Sequence, residues 1–219
     1  IRETVDGLVG EDTFGGEDPQ IASQITRIKS LAKQPDFIVI CSFPPGGVSA
    51  TRQLRAAGVN QPLLGSESWD GDFWLEGVPN LSDFFLVTYG SVFGNDPRPA
   101  VADFMKKFGA KWNHAPVTSH AITGYSVIEA WTRAVERAGT FDTDKVRDEL
   151  QKFKDEPLLA GPTTFTETDH INMQRDLILL EVKDGHGHDD GQVAARGEGR
   201  PVVPRPDRAA DDRAARAVR

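Results

Sequence analysis

The chain has 219 residues, of which 38% are hydrophobic and 26% are charged, and its formal net charge is −8 at pH 7. That length suffices for one large domain or two small ones. No apolar run approaches the roughly 18 residues of a membrane span, and the acidic balance argues against a surface for nucleic acid or anionic lipid. The single cysteine, Cys41, falls in an apolar run, so we expect it to be buried and free of any disulfide.

A first helix is predicted over residues 19–33, after a stretch with little pattern. Asp18 is a suitable N-cap, and Pro19 fits the first helical turn. Pro35 marks the end of the helix, because the residue before a proline disfavours helical geometry. The apolar positions that recur at helical spacing are Ile21, Ile25, Ile28 and Leu31.

Residues 37–70 have the pattern of a strand–loop–helix–strand–loop unit. Residues 37–41 form a short unbroken apolar run, which is typical of a parallel strand covered on both faces. A Pro/Gly loop follows, then a helix that Gly58 ends in left-handed geometry, and then a second buried strand from Leu63. The loop after each strand carries an aromatic residue, and the second loop adds a carboxylate. Because ligands bind at this edge of an open α/β sheet, the two loops form the candidate site.

The chain then alternates further strands and helices up to about residue 185. A buried strand is predicted at residues 84–88, and two more at 161–165 and 176–182, with a hairpin turn at 184–185. Three helices with apolar stripes are predicted between the strand at 84–88 and the strand at 161–165. We expect the stripes to be buried because such stripes usually belong to a core. The first helix is predicted over residues 99–113, with inward residues Val101, Phe104, Met105, Phe108 and Trp112. The second is predicted over residues 119–138, with inward residues Ile122, Tyr125, Ile128, Trp131 and Val135. The third begins at residue 142 or 143, with inward residues Val146, Leu150 and Phe153.

The last segment, residues 186–219, contains no Leu, Ile, Phe, Tyr or Trp. Such a composition buries too little apolar area to offset the entropic cost of ordering. We therefore expect a disordered tail that supplies no partner strand after the hairpin turn. A cluster of His and Asp residues at 186–190 has no scaffold to fix its geometry, so we expect no metal site there.

No motif in the sequence indicates catalysis or a cofactor. The glycine spacing of residues 44–47 does not match a dinucleotide-binding fingerprint, and the sequence has no phosphate-binding loop, nucleophile elbow, paired-cysteine motif or zinc-binding helix. Binding is better supported. A free amino acid needs a carboxylate near its ammonium group, donors for its own carboxylate and an apolar wall for its side chain, and Glu67 in the second loop is suited to the first of these tasks.

Four short motifs, in this order, resemble a known family. They are PDFIV (35–39), SFPPGG (42–47), RQLRAAG (52–58) and PLLGSESWD (62–70). Together they are similar to the ligand-binding proteins of ABC transporters for branched-chain amino acids, which are type I periplasmic binding proteins. The resemblance extends over about residues 17–185.

The resemblance implies an α/β fold built from Rossmann-like lobes of a type I periplasmic binding protein, with the N-terminal lobe incomplete. The family has a further half-chain before the position of Ile1, so the chain is interpreted as a C-terminal fragment. By the same resemblance, residues 1–90 form the α/β core of the second lobe and residues 91–160 are helices that return to the first. Residues 161–185 are strands that return to the second lobe, and residues 186–219 are the disordered tail.

Three residues are predicted to bind the ligand. By resemblance, Glu67 receives the α-ammonium group of the ligand, and Phe43 stands where the family places an aromatic residue, commonly Tyr. Trp69, beside Glu67, is predicted to form the floor of the pocket. Each also has a purely structural interpretation: Glu67 as a solvated loop acid, and Phe43 and Trp69 as packing residues. The donors for the ligand carboxylate lie before Ile1 in the family, so this chain should hold half a site.

The preferred interpretation is the solute-binding component of an ABC importer for branched-chain or related amino acids. It would be a monomer that binds a small amino acid or amide and docks on a membrane permease, with no catalysis, cofactor, metal or nucleic acid. A periplasmic location, or an extracellular one with a lipid anchor, would follow. Two other interpretations stay open: a sensor or regulator domain of the same fold that detects amides, and an α/β enzyme domain whose catalytic half is missing.

Overall fold

The structure, a computed structural model, describes residues 7–17, 20–172, 175–183 and 185, and the backbone of residues 194–196. It is a mixed α/β fold. The helices are α1 (Ala22–Lys29), α2 (Gly46–Ala56), α3 (Pro99–Trp112), α4 (His120–Ala138) and α5 (Thr143–Leu150). The strands are β1 (Ile38–Ile40), β2 (Leu63–Gly65), β3 (Phe84–Thr88), β4 (Glu156–Leu158), β5 (Gly161–Thr163), β6 (Ile178–Val182) and β7 (Ala194–Arg196).

The principal sheet has five strands in the order β1-β2-β3-β6-β7. The first three are parallel, with Ile38 opposite Leu63 and Leu63 opposite Phe84. β6 then pairs antiparallel with β3, so that Phe84 lies opposite Val182. β4 and β5 form a separate antiparallel hairpin. The parallel strands predicted around residues 37–41, 63–64 and 84–88 are therefore confirmed, as is the strand at 176–182, although β1 is shorter than its apolar run.

One face of this sheet is the core of the molecule. Leu63, Phe84 and Leu180 are fully buried there. α1 and α2 cover this face, because Ile21 lies just before α1 and packs with Ala50 and Leu54 of α2 in the same cluster. At about 25 cal/mol per Å² of apolar surface removed from water, this face supplies the main stabilisation of the sheet.

The opposite face of the sheet is only partly covered. Val39 of β1 is 44% exposed and Leu179 of β6 is 36% exposed, and Phe37 and Cys41 are exposed as well. The expectation of a strand buried on both faces, with Cys41 inside it, is therefore wrong for the described residues. Side chains alternate between the faces of a strand, so residues 37, 39 and 41 share the face that no described helix covers.

A second layer of helices follows the sheet and has smaller cores of its own. Val101 and Met105 of α3 pack with Ile122 of α4, and Ala130 of α4 packs with Phe153 and Leu158. Predicted helix ends are confirmed where a cap was identified. Gly58 and Gly139 have left-handed backbone geometry, and the side chain of Asp142 accepts a hydrogen bond from the Lys145 N–H at 3.1 Å.

The buried face of α4 agrees with the predicted one only at Ile122, which is fully buried. Tyr125, Ile128 and Trp131 are exposed, as is Trp112 at the end of α3. The face that packs inward carries smaller residues, namely Ile122, Ser126, Ala130 and Ala134. Small side chains allow a close approach, and the Ala160 N–H donates a 2.7 Å hydrogen bond to the Ser126 hydroxyl. α4 is apolar on two sides, and periodicity alone does not tell which side is covered.

Four further predictions concern the ends of elements. α1 spans residues 22–29 rather than 19–33, and the predicted cap at Asp18 and Pro19 lies outside the described residues. β4 was not predicted. The backbone of β7 pairs with β6, so the prediction that no partner strand follows the hairpin turn is wrong for residues 194–196. Antiparallel backbone pairing satisfies the polar groups of an edge strand without needing large apolar side chains.

The rest of the tail, including the predicted His and Asp cluster, lies outside the described residues. β6 shares a sheet with β1–β3, whereas α3–α5 and the β4–β5 hairpin pack with one another. The assignment of residues 1–90, 91–160, 161–185 and 186–219 to particular lobes or to a tail stays a prediction.

Candidate ligand-binding groove

An open groove of about 420 Å³ lies at the carboxyl ends of β1 and β2, along the partly covered face of the sheet. Its floor is apolar, with Val39, Leu64 and Val87 from three adjacent strands. Its rim is formed by the two predicted loops. The lining residues are Val39, Ile40, Cys41, Ser42, Phe43, Leu64, Gly65, Ser66, Glu67, Ser68 and Val87. Phe43 and Glu67, predicted from opposite loops, therefore line the same groove.

Phe43 is presented by the loop between β1 and α2. Its ring is 61% exposed, while its backbone is held by the Gly47 N–H, which donates a 2.9 Å hydrogen bond to the Phe43 carbonyl oxygen. The Pro44-Pro45 peptide bond that follows is cis. An exposed aromatic ring on a fixed backbone can contact an apolar ligand group with little further ordering.

Glu67 begins a one-turn 3₁₀ helix, Glu67–Trp69, directly after β2. Ser66 caps this turn: its hydroxyl oxygen accepts a hydrogen bond from the Ser68 N–H at 3.4 Å and lies 2.6 Å from the Ser68 hydroxyl. Ser68 also donates to the Ser42 carbonyl oxygen at 3.4 Å, which joins the two loops. The Glu67 side chain is exposed and, among the described residues, has no hydrogen bond or ion pair.

Trp69 does not line the groove. Its side chain is 0% exposed, and its ring packs in the core with centroids 4.9 Å from those of Trp74 and Phe84. The Trp74 indole N–H donates a 2.7 Å hydrogen bond to the Trp69 carbonyl oxygen. A fully buried ring cannot touch a ligand in this conformation, so Trp69 lies beneath the loop instead of forming the pocket floor, which the aliphatic residues of the strands provide.

Asp70, next to Trp69, joins the sheet edge to α4. Its carboxylate is buried and accepts hydrogen bonds from the Gly71 N–H at 2.9 Å and from the Ser119 N–H. The Ser119 hydroxyl lies 2.7 Å from the hydroxyl of Thr88 at the end of β3, and both are buried. Sequence reasoning missed this polar link, because it depends on two residues 49 positions apart.

A second buried carboxylate follows β3. Asp96 accepts hydrogen bonds from the Arg98 guanidinium at 2.9 and 3.0 Å and from the Ser91 N–H at 2.9 Å. Burial alone would raise its pKa, but the hydrogen bonds from Arg98 and Ser91 outweigh burial, so the pKa of Asp96 lies below its ordinary value. Arg98 also donates to the Tyr89 carbonyl oxygen at 2.7 Å. This network fixes the chain where it leaves the sheet.

A larger groove, of about 580 Å³, lies against α2 and the Pro44-Pro45 bond. Glu17, Arg52 and Phe73 are among its lining residues. Its described lining residues belong to helices and loops, none of them to a strand at the carboxyl edge of the sheet, and they include neither Phe43 nor Glu67. The smaller groove is therefore the better candidate, because parallel α/β sheets bind ligands at that edge.

The described residues offer little for other kinds of site. Within them, no group of three or more His, Cys, Asp or Glu side chains is placed to hold a metal ion. None of the helices that the structure describes is both long and apolar enough to cross a membrane. Of the described residues that line the smaller groove, Glu67 is the one that is charged, so its field favours a cationic ligand group over an anionic one.

Comparison with known proteins identifies the family to which this fold is similar. Residues 2–189 match the family model of the periplasmic binding proteins. A leucine-binding protein from Thermotoga maritima is similar over 81% of this chain and 48% of its own, with 21% identity and a TM-score of 0.64. The isoleucine-bound substrate-binding protein of a branched-chain amino acid transporter from Streptococcus pneumoniae is similar over 89% of this chain and 54% of its own, with 21% identity and a TM-score of 0.72.

A benzoate-bound solute-binding protein of an ABC transporter from R. palustris has 19% identity and a TM-score of 0.60, and the match covers 84% of this chain and 48% of that one. All three solved proteins bind a small solute: leucine, isoleucine or benzoate. The chain spans about half the length of these structures. Because the family model covers most of its residues, the chain belongs to the periplasmic binding protein family.

Proposed function

We propose that this chain provides one wall of a solute-binding site, where a small organic molecule binds unchanged and is passed to a transporter in the membrane. The observation that carries the proposal is the groove itself. Two loops from adjacent parallel strands present the exposed side chain of Phe43 and the exposed carboxylate of Glu67, which has no partner among the described residues, above an apolar floor. An apolar concave surface with one placed charge is suited to bind and orient a ligand.

The ligand we propose is a branched-chain or related amino acid. The ammonium group would lie at Glu67, where a charge-assisted hydrogen bond contributes roughly 1.5–3 kcal/mol. The aliphatic side chain would contact Phe43 and the floor residues Leu64 and Val87. The bound isoleucine of one similar protein supports this choice. The bound benzoate of another favours a second candidate, a small solute without an ammonium group.

The open shape of the groove supports a binding mode with two walls. Among the described residues that line it there is no lysine, arginine or histidine, so these residues give the carboxylate of an amino acid no cationic partner. We infer that the remaining donors come from residues outside this chain and that the two walls close around the solute. The closed form would then dock on a membrane permease, in the periplasm or at the outer cell surface. A sensor domain of the same fold would use the same groove.

Calorimetry on two forms of the protein tests this proposal. The first is the 219-residue chain, and the second joins to its N-terminus the half-chain that the isoleucine-bound relative has in addition. We expect the longer form to bind L-isoleucine and L-valine with a Kd of about 1 µM, equivalent to about −8 kcal/mol. The shorter form should bind them far more weakly, and benzoate should bind less well than either amino acid because Glu67 repels it.

Two results would contradict the proposal. Micromolar binding of L-isoleucine to the 219-residue chain would mean that the complete site lies elsewhere in it. Binding of benzoate by the longer form, with no binding of either amino acid, would remove the amino-acid assignment and favour the solute without an ammonium group.

A further inference from the structure

Trp69 lies between two glycines that adjoin the two loops of the groove: Gly47 in the first turn of α2 and Gly65 at the end of β2. A Cβ placed on Gly65 would lie 2.6 Å from Cδ1 of Trp69, and one placed on Gly47 would lie 2.5 Å from its Cζ2. Both distances are shorter than real side chains tolerate, so only glycine fits at either position. The indole ring therefore spans the space from the end of β2 to the first turn of α2.

Each glycine is connected directly to a predicted ligand-binding residue. The Gly47 N–H donates a 2.9 Å hydrogen bond to the carbonyl oxygen of Phe43. Gly65 is the last residue of β2 and is separated from Glu67 only by Ser66. Trp69 itself closes the turn that contains Glu67, because its N–H donates to the Ser66 carbonyl oxygen at 3.2 Å. One ring thus contacts the backbone that carries Phe43 and the backbone that carries Glu67.

The rest of the ring is fixed by the core. Trp74 and Phe84 pack against it with centroid distances of 4.9 Å. The indole N–H of Trp69 is buried and has no hydrogen-bond partner in the part of the chain that the structure describes. The ring therefore acts through its shape and not through a polar contact.

We propose that Trp69 is a positioning residue that sets the separation of the Phe43 and Glu67 loops through its contacts with Gly47 and Gly65. The inference rests on the proposed function for its significance, since the two loops matter as walls of a binding groove. Its geometry is independent of any ligand. The six-membered ring, which carries Cζ2 and Cη2, supports the Phe43 loop, and the five-membered ring, which carries Cγ and Cδ1, supports the Glu67 loop.

Pulsed EPR on the 219-residue chain tests this role without a ligand. Nitroxide labels are attached after Phe43→Cys and Glu67→Cys substitutions in a Cys41→Ser background, since Cys41 is the one native thiol. Trp69→Phe removes the atoms next to Gly47, so we expect a broadened and shifted label-to-label distance. Adding Gly47→Ala to Trp69→Phe supplies a methyl group in the vacated space, and we expect the distance distribution to return towards that of the parent.

Two matched controls separate positioning from general loss of stability. Ile178→Val trims a buried residue of β6 and lowers the unfolding temperature, but it touches neither glycine. Gly124→Ala changes a helical glycine with open space around it. Both should leave the distance distribution unchanged. The proposal is overturned if Trp69→Phe leaves the distribution unchanged, if Gly47→Ala brings no return towards the parent, or if Ile178→Val shifts the distance as much as Trp69→Phe does.

These outcomes are independent of the proposed function. A parent protein whose loops respond as expected, but whose longer form binds no amino acid, would keep the positioning role and remove the amino-acid ligand. A longer form that binds L-isoleucine, together with a label-to-label distance that does not change on Trp69→Phe, would keep the amino-acid ligand and remove the positioning role.

Discussion

The two faces of the principal sheet carry similar residues and have opposite roles. On one face Leu63, Phe84 and Leu180 are completely buried beneath α1 and α2. On the other, Val39 and Leu179 stay substantially exposed, and the exposed strip continues into the floor of the groove. The same type of side chain thus stabilises the fold on the face that helices cover, and it leaves an exposed apolar surface on the face that no described helix covers. That exposed surface is where we propose that the ligand binds.

The carboxylates at the edge of the sheet show the same contrast. Asp70 and Asp96 are buried. Asp70 accepts hydrogen bonds from two backbone N–H groups, and Asp96 accepts them from backbone N–H groups and from the Arg98 guanidinium. Glu67, three positions before Asp70, is exposed and has no partner among the described residues. A carboxylate whose hydrogen bonds are satisfied internally maintains structure, whereas one without partners is available to a ligand.

The largest expected effect is a difference in stability between substitutions of two adjacent leucines of β6, one on each face of the sheet. Leu180→Ala removes a fully buried side chain and should lower the free energy of unfolding by about 2–5 kcal/mol. Leu179→Ala, on the partly covered face, should cost less than about 1 kcal/mol. Urea unfolding followed by circular dichroism measures both. Equal losses would show that both faces are covered in solution, contrary to the account of the groove.

A smaller effect is expected at the link between the β2 loop and α4. Asp70→Asn replaces one of the two accepting oxygens by an NH2 group, so either the Gly71 N–H or the Ser119 N–H loses its acceptor, which should cost about 1–3 kcal/mol of stability. Asp72→Asn, at an exposed position two residues on, is the matched control and should be nearly neutral. If the two variants unfold at the same urea concentration, the buried link does not contribute to stability.

The smallest expected effect concerns Asp96, whose ionisation makes the stability of the fold depend on pH. Burial raises the pKa of Asp96, but the hydrogen bonds from Arg98 and Ser91 outweigh it and hold the folded-state pKa below the ordinary value of 3.8. Its contribution is therefore complete above that value and is lost as the pH falls through the lower, folded-state pKa. We expect Asp96→Asn to flatten this part of the acid-unfolding profile. An unchanged profile would mean that Asp96 is not ionised in these hydrogen bonds.

Much of the fold could be predicted from local pattern. Short apolar runs and the turn residues beside them predicted β2 and β3, and Gly58 and Gly139 predicted the ends of α2 and α4. The rule that ligands bind at the carboxyl edge of parallel strands brought Phe43 and Glu67 together correctly, because it depends only on strand direction.

The predictions that were wrong concern which side chains are covered by another element of the fold. Cys41 and Tyr125 were predicted to be buried and are exposed, since an apolar residue has the same sequence pattern whether or not another element packs on it. Trp69 was assigned to the groove because it is adjacent to Glu67, yet the turn directs its ring into the core. Its fit against Gly47 and Gly65 is a long-range contact with no local signal.

The most direct test of the central claim is the affinity of the longer form for L-isoleucine after Glu67→Gln. The neutral amide leaves the ligand's ammonium group without its counter-charge, so we predict a loss of about 2–3 kcal/mol, or about 30- to 150-fold in Kd. Glu76→Gln, outside the groove, should change Kd little, and Glu67→Gln should leave the unfolding temperature unchanged. Equal effects of Glu67→Gln and Glu76→Gln on Kd would contradict the role of Glu67 and with it the choice of an amino acid as the ligand.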